Sequence, residues 1–151
     1  MASTRQTFLT YLRDTLFPTL TTGNGYNFTV ATNERGIRNV ATMPAELFPA
    51  LFIVNADEAR KNSTRVHFQS TMSVNIAGFV RDTNGIPGAL QEELDKLIED
   101  VTKVLYADPT QGNRVMWTEV SRVDTDDGDL AQMAGFVMQV DFQYSAVATT
   151  T

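Results

Sequence analysis

The chain contains no cysteine, which excludes disulfides, thiolate metal sites and cysteine nucleophiles together. Its single histidine, His67, leaves no two-histidine metal site and no relay between imidazoles within one chain. Long apolar runs are missing too: the densest, residues 48–54, falls far short of the roughly 20 residues that cross a bilayer as a helix. The N-terminal Met-Ala-Ser-Thr-Arg-Gln has no basic leader ahead of an apolar core, so the expectation is a chain that stays in the cytosol. No phosphate loop with its lysine is present. Gly23-Asn24-Gly25 lacks both the third glycine and the preceding strand of a dinucleotide site, and reads as a turn.

With 151 residues, the chain is expected to form one domain that buries about two-thirds of the surface its unfolded form exposes. Net charge is −6, unevenly spread: residues 1–81 carry eight basic and five acidic side chains, residues 82–151 four and thirteen. Such asymmetry favours head-to-tail contacts between copies and disfavours general binding to nucleic acid. The plainer alternative is a set of solvated surface charges.

The clearest pattern runs over residues 66–144. Val66, Phe68, Met72, Val74, Ile76 and Val80 alternate with His67, Gln69, Thr71, Ser73, Asn75 and Arg81, which predicts a long strand with one buried and one wet face. Phe136, Met138, Val140, Phe142 and Tyr144 alternate with Gln139, Asp141 and Gln143 in the same way. Between them Leu90, Leu94, Leu97, Ile98, Val101, Val104 and Leu105 recur at helical spacing, and Glu92, Glu93 and Asp95 crowd the positive end of the helix dipole. This predicts a helix over 89–106 that covers the sheet.

Elsewhere, Ser3 and Gln6 have the spacing of a capping box ahead of Phe8, Leu9, Leu12 and Leu16, a first helix that Pro18 ends. Tyr26, Phe28 and Val30 predict a strand, residues 33–36 a turn, and 37–49 a long loop or irregular strand limited by Pro44 and Pro49. Residues 50–54 predict a compact strand, and the polar residues 55–64 an exposed connection. The strand over 66–80 would reach about 50 Å if straight, so it should bend, with Gly78 as the candidate hinge, or project beyond its own core. Residues 115–123 alternate weakly and suit an edge strand, 124–129 an acidic tip, and 146–151 a frayed tail. The fold class expected is α+β: a mixed, mostly antiparallel sheet with two main helices packed on one face.

Chemistry finds little footing. The tip Asp124-Thr125-Asp126-Asp127-Gly128-Asp129 places carboxylates at alternating positions. Yet its fifth, sixth and twelfth positions (Gly128, Asp129, Gly135) fail the calcium-loop pattern, and a solvated hairpin is the better reading. His67 sits on the polar face of its strand, and no serine has a nucleophile-elbow sequence. Arg35 and Arg38 would join Arg60, Lys61 and Arg65 in a basic patch if their two loops met, a surface better suited to protein than to nucleic acid because aromatic interleaving is missing. No catalytic residue, cofactor or metal is expected.

The order helix, strands, long strand, helix, two strands resembles the tail terminator and related tail-completion proteins of long-tailed bacteriophages. Three stretches carry the resemblance. They are Met72-Ser73-Val74-Asn75-Ile76-Ala77-Gly78-Phe79-Val80, the helix running into Tyr106-Ala107-Asp108-Pro109, and Phe136-Val137-Met138-Gln139-Val140-Asp141-Phe142-Gln143-Tyr144. The N-terminal helix also falls where that family has one. The resemblance implies a virion protein of the tail or neck, assembled in the host cytoplasm. Six copies would form a ring on the head-proximal end of the tail tube, stop its polymerisation and meet the head connector, while DNA passes through the lumen without specific binding. Its partners would be other copies of itself, the tail-tube protein and the head–tail connector or head-completion protein. For contacts, Arg35, Arg38, Arg60 and Lys61 are the candidates on one side, and Asp124, Asp126, Asp127 and Asp129 on the other side or in the lumen. The competing readings are another neck or baseplate component, and a ferredoxin-like small-molecule binding module.

Overall fold

Stretches that alternate in sequence become paired strands, and the helical stripe lies across them. The computed structural model describes residues 4–36, 43–62, 67–81, 89–108, 110–111, 115–126 and 133–147. Five strands, β1 (Thr32–Arg35), β2 (Ala50–Asn62), β3 (His67–Arg81), β4 (Trp117–Asp126) and β5 (Met133–Val147), form one sheet in the order β1-β2-β3-β5-β4. β1 runs parallel to β2, and every other neighbouring pair is antiparallel. Helix α1 (Thr4–Tyr11) precedes the strands, and α2 (Ala89–Ala107) links β3 to β4, with β5 inserted between those two strands. The fold is α+β with a mostly antiparallel sheet, as the patterning predicts. The order of elements departs from the β-α-β-β-α-β order of a ferredoxin-like repeat, because α1 comes before every strand.

The core lies between the helices and one face of the sheet. Leu94, Leu97, Val101, Val104 and Leu105 of α2 are buried against Met72, Val74, Ile76 and Val80 of β3 and Phe136, Met138, Val140, Phe142 and Tyr144 of β5. From α1, Phe8 meets Phe142 edge to face with ring centroids 4.6 Å apart, a favoured aromatic geometry. Each large side chain buried this way contributes about 1.5–3 kcal/mol. The opposite face of the sheet is not wet along its whole length, contrary to expectation. At one end Met43, Ala50, Phe52 and Ala77 form a second buried cluster beneath Leu47, Phe48 and Phe79, and Arg81 ties it down by donating to the Met43 carbonyl at 2.9 Å.

Several local expectations are overturned. The first helix does not simply stop at Pro18: α1 passes into a π turn over Leu12–Leu16 and a 3-10 turn over Phe17–Thr19. Asn33 of β1 donates its side-chain amide to the Arg13 carbonyl within that π turn. Ser3 of the proposed capping box lies outside the described residues. Residues 26–30 are not a strand, because the amides of Asn27 and Phe28 donate at 2.9 and 3.0 Å to the carboxylate of Asp100 on α2 instead of to a neighbouring strand. The segment read as a turn at 33–36 is β1, ended by Gly36 at φ 79.

The polar stretch read as a connection continues β2 to Asn62, paired to β3 throughout. β5 likewise runs through Ala146 and Val147, residues expected in a frayed tail. Gly78 is no hinge: its pairing with Leu51 and Phe136 is uninterrupted. The breaks in register fall instead between Ile53 and Asn55 on β2 and between Val120 and Arg122 on β4. What Gly78 provides is room. A Cβ there would meet the Phe136 ring at 2.3 Å, and one at Gly135 would meet the Phe79 ring at 2.7 Å. The tetrapeptide Ala-Gly-Phe-Val occurs at 77–80 and again at 134–137, and antiparallel pairing lays each phenylalanine over the other copy's glycine on opposite faces of the sheet.

Candidate functional site

Directly paired residues of adjacent strands share a face, so the register of the sheet reads out its helix-free surface. Beyond the second apolar cluster that surface is polar. One row across it is Asp57 of β2, Ser73 of β3, Asp141 of β5 and Glu119 of β4. Asp57 and Glu119 are exposed and Asp141 is half-buried. The Ser73 hydroxyl donates to Asp141 at 2.7 Å and Gln139 donates to it at 3.4 Å. These bonds orient Asp141 without neutralising it, and Glu119 faces it directly across the strand pair. Like charges in that position repel, so the row is a concentrated negative stripe. Asp124, exposed and paired with Val137, lies on the same face, where it forms an ion pair at 2.9 Å with Arg122.

Of the residues singled out in the sequence, Arg35 ends β1 opposite Ile53 and is exposed. Arg60 and Lys61 lie on β2 opposite Ser70 and Gln69. Since Arg60 is seven residues beyond Ile53, it lies roughly 23 Å along the strand from Arg35. The single basic patch is therefore not formed by these residues. Asp124 and Asp126 belong to β4, opposite Val137 and Gly135, and are not in the expected loop. Arg38, Arg65, Asp127 and Asp129 lie outside the described residues. The pairs Arg60/Lys61 and Asp124/Asp126 occupy diagonally opposite corners of the sheet, on different edges and at different ends.

Those edges are open. β4 has no strand on its outer side among the described residues, as expected of its weak alternation, although the Val120 amide donates to the Tyr106 hydroxyl at 2.7 Å. On the other side β1 covers only Ala50, Leu51, Phe52 and Ile53 of β2. Once Gly36 has donated to the Ile53 carbonyl at 2.8 Å, β2 continues from Val54 to Asn62 with its outer edge uncovered among the described residues.

One hollow lies on this surface and a second groove lies elsewhere. A hollow of about 260 Å³ is lined by Phe79, Asp124, Thr125, Gly135, Phe136 and Val137, apolar at its floor and acidic at its rim. A wider groove runs between the π turn and β1, past Arg13, Asp14, Phe17 and Asn33. Its two charges satisfy each other at 2.7 Å, and the hydrogen bond from Arg13 holds the Asp14 carboxyl below its usual range.

Among the described residues no group of three or more histidine, aspartate or glutamate side chains is placed to hold a metal ion, and no helix is long and apolar enough to cross a membrane. The acidic row was missed in sequence because its members come from three strands, each contributing one carboxylate to an otherwise polar face. The signal that could have revealed it is the shared period of two, aligned through the register. Set against known proteins, the sequence matches no family model, and no curated protein matches it.

Proposed function

We propose that this chain is a structural subunit of a ring that caps the head-proximal end of a phage tail tube, ends tube polymerisation and joins the tail to the head connector. The observation that carries this reading is the negative stripe of Asp57, Asp141 and Glu119 on the helix-free face. A lumen that passes DNA needs a wall that repels phosphate, and carboxylates held on a rigid sheet supply one. A ring built by rotation also needs two different, complementary surfaces on opposite sides of one subunit. The outer side of β4 and the uncovered part of β2, on opposite sides of the sheet among the described residues, fit that need. Such a role requires shape and charge and no catalytic residue, cofactor or metal.

The resemblance to tail terminators supplies the stoichiometry of six and the partners: further copies of the chain, the tail-tube protein and the head–tail connector. Native mass spectrometry over a range of concentrations, with and without purified tail tubes, tests it. The expected result is a closed ring, alone or on tube ends. A chain that stays monomeric in both settings would sink the reading.

A further inference from the structure

We infer that neighbouring copies join edge to edge, with the outer side of β4 in one copy pairing antiparallel with the uncovered part of β2 in the next, and Arg122 placed opposite Asp57. The inference rests on the ring reading above and names the surfaces that close the ring.

Strand direction comes first. β2 and β5 run one way, β3 and β4 the other, so β4 is antiparallel to β2 within a subunit. When copies are related by rotation about an axis along the strands, β4 of one therefore meets β2 of the next in antiparallel sense. That is the more stable ladder, and no subunit needs to be inverted. Open edges are otherwise a liability that proteins cover or blunt. The Val120 amide of β4, which donates to the Tyr106 hydroxyl at 2.7 Å, exchanges that partner when the ladder forms.

Charge then selects the register. With the copies level, Glu119 of one would face Asp57 of the next, since both belong to the same row. Like charges opposite one another are unfavourable. Sliding one copy by two residues keeps every side chain on its face. It moves Glu119 opposite Ala59, brings Arg122 opposite Asp57 and sets Asp124 against Asn55. These pairings fall beyond Ile53, the last residue that β1 covers, and β4 must leave the ladder after Asp124, because Thr125 and Asp126 would otherwise meet the stretch that β1 holds. A slide in the other direction would drive Arg122 into the part of β2 that β1 already occupies. Arg122 is exposed, and its ion pair at 2.9 Å is with Asp124, itself exposed. Exposed pairs of this kind are weak and exchange readily for a partner across a ladder.

The absence of cysteine makes the pairing directly testable. Within one subunit Asp57 and Arg122 lie on strands three spacings apart, about 14 Å, far beyond the reach of a disulfide. The experiment mixes the Arg122→Cys and Asp57→Cys variants, each confirmed as folded by circular dichroism, under mild oxidation, and resolves the products on non-reducing gels. The expected result is a disulfide-linked heterodimer well above the level seen with either variant alone. The double variant should give a ladder ending at the ring size. As a second measurement, Arg122→Asp or Asp57→Arg should each weaken association by roughly tenfold, and their combination should restore most of it. A ring that forms by native mass spectrometry, yet shows neither the cross-link nor the rescue, overturns the edge pairing and leaves the ring reading standing. A chain that remains monomeric with and without tubes overturns both.

Discussion

Asp100 is 2% exposed, and its carboxylate accepts the backbone amides of Asn27 and Phe28. It does for residues 26–30 what a neighbouring strand would otherwise do, and it pins that segment across α2. Replacing it with alanine leaves two amides without their acceptor. The expected loss is about 2–4 kcal/mol of stability, read as a lower urea midpoint at unchanged slope, with a smaller loss for Asp100→Asn. A change under about 0.5 kcal/mol would show that packing alone holds the segment. The paired glycines make a second residue-scale prediction. Gly78→Ala drives a methyl group into the Phe136 ring, which is buried in the core and cannot swing away, so a cost of about 1–3 kcal/mol is expected. Gly135→Ala presses on Phe79, which is only half-buried, and should cost clearly less. Equal losses in thermal denaturation would count against the steric account. Neither Asp100 nor the glycine pair was legible in sequence as anything beyond a helix acid and two turn or bend formers. Their partners lie 72 or 73 residues away for Asp100 and 58 residues away for Gly78.

At the scale of elements, α2 and β3 were readable to within a residue of their ends and β5 over its middle, because each carries an apolar stripe against the core, broken in β3 at Ser70 and Gly78. Phe142→Ala, which empties the space between β5 and α1, should cost about 3–5 kcal/mol. A loss well below that would mean α1 collapses into the gap. β2 is the instructive failure. Its apolar pattern holds through Ile53, where its contribution to the main core ends, and the Asp57-Glu58-Ala59-Arg60-Lys61 stretch that follows has no stripe at all. Hydrophobic periodicity reports burial, whereas this half of the strand is held by its ladder to β3. Ladder pairing of this kind leaves no mark in the pattern. β1 was missed for the same reason, being a short edge strand whose sequence, Thr-Asn-Glu-Arg, also suits a turn.

For the whole molecule, the proposed ring function turns on charge placement, and a charge-reversed chain tests it. Glu119→Lys and Asp124→Lys together alter exposed side chains, leave the proposed Arg122–Asp57 contact in place and should leave folding largely intact. On the proposed reading they should, however, turn a wall that repels DNA into one that holds it. The expected outcome is salt-dependent duplex binding by fluorescence anisotropy where the unaltered chain shows none, together with slowed DNA passage in complemented phage. Unchanged DNA affinity would remove the helix-free face from consideration as a lumen wall. Sequence by itself determined the fold class, the covering helix and the two best strands, since amphipathic period is a local consequence of which side chains must leave water. It also determined the charge imbalance and the exclusion of thiol chemistry. Only the tertiary structure decided which charges stand together. Register aligned Asp57, Asp141 and Glu119 into one row, separated Arg35 from Arg60 and Lys61, and left β4 and half of β2 uncovered among the described residues. Those relations depend on pairing between residues far apart in the chain, and no local pattern encodes them.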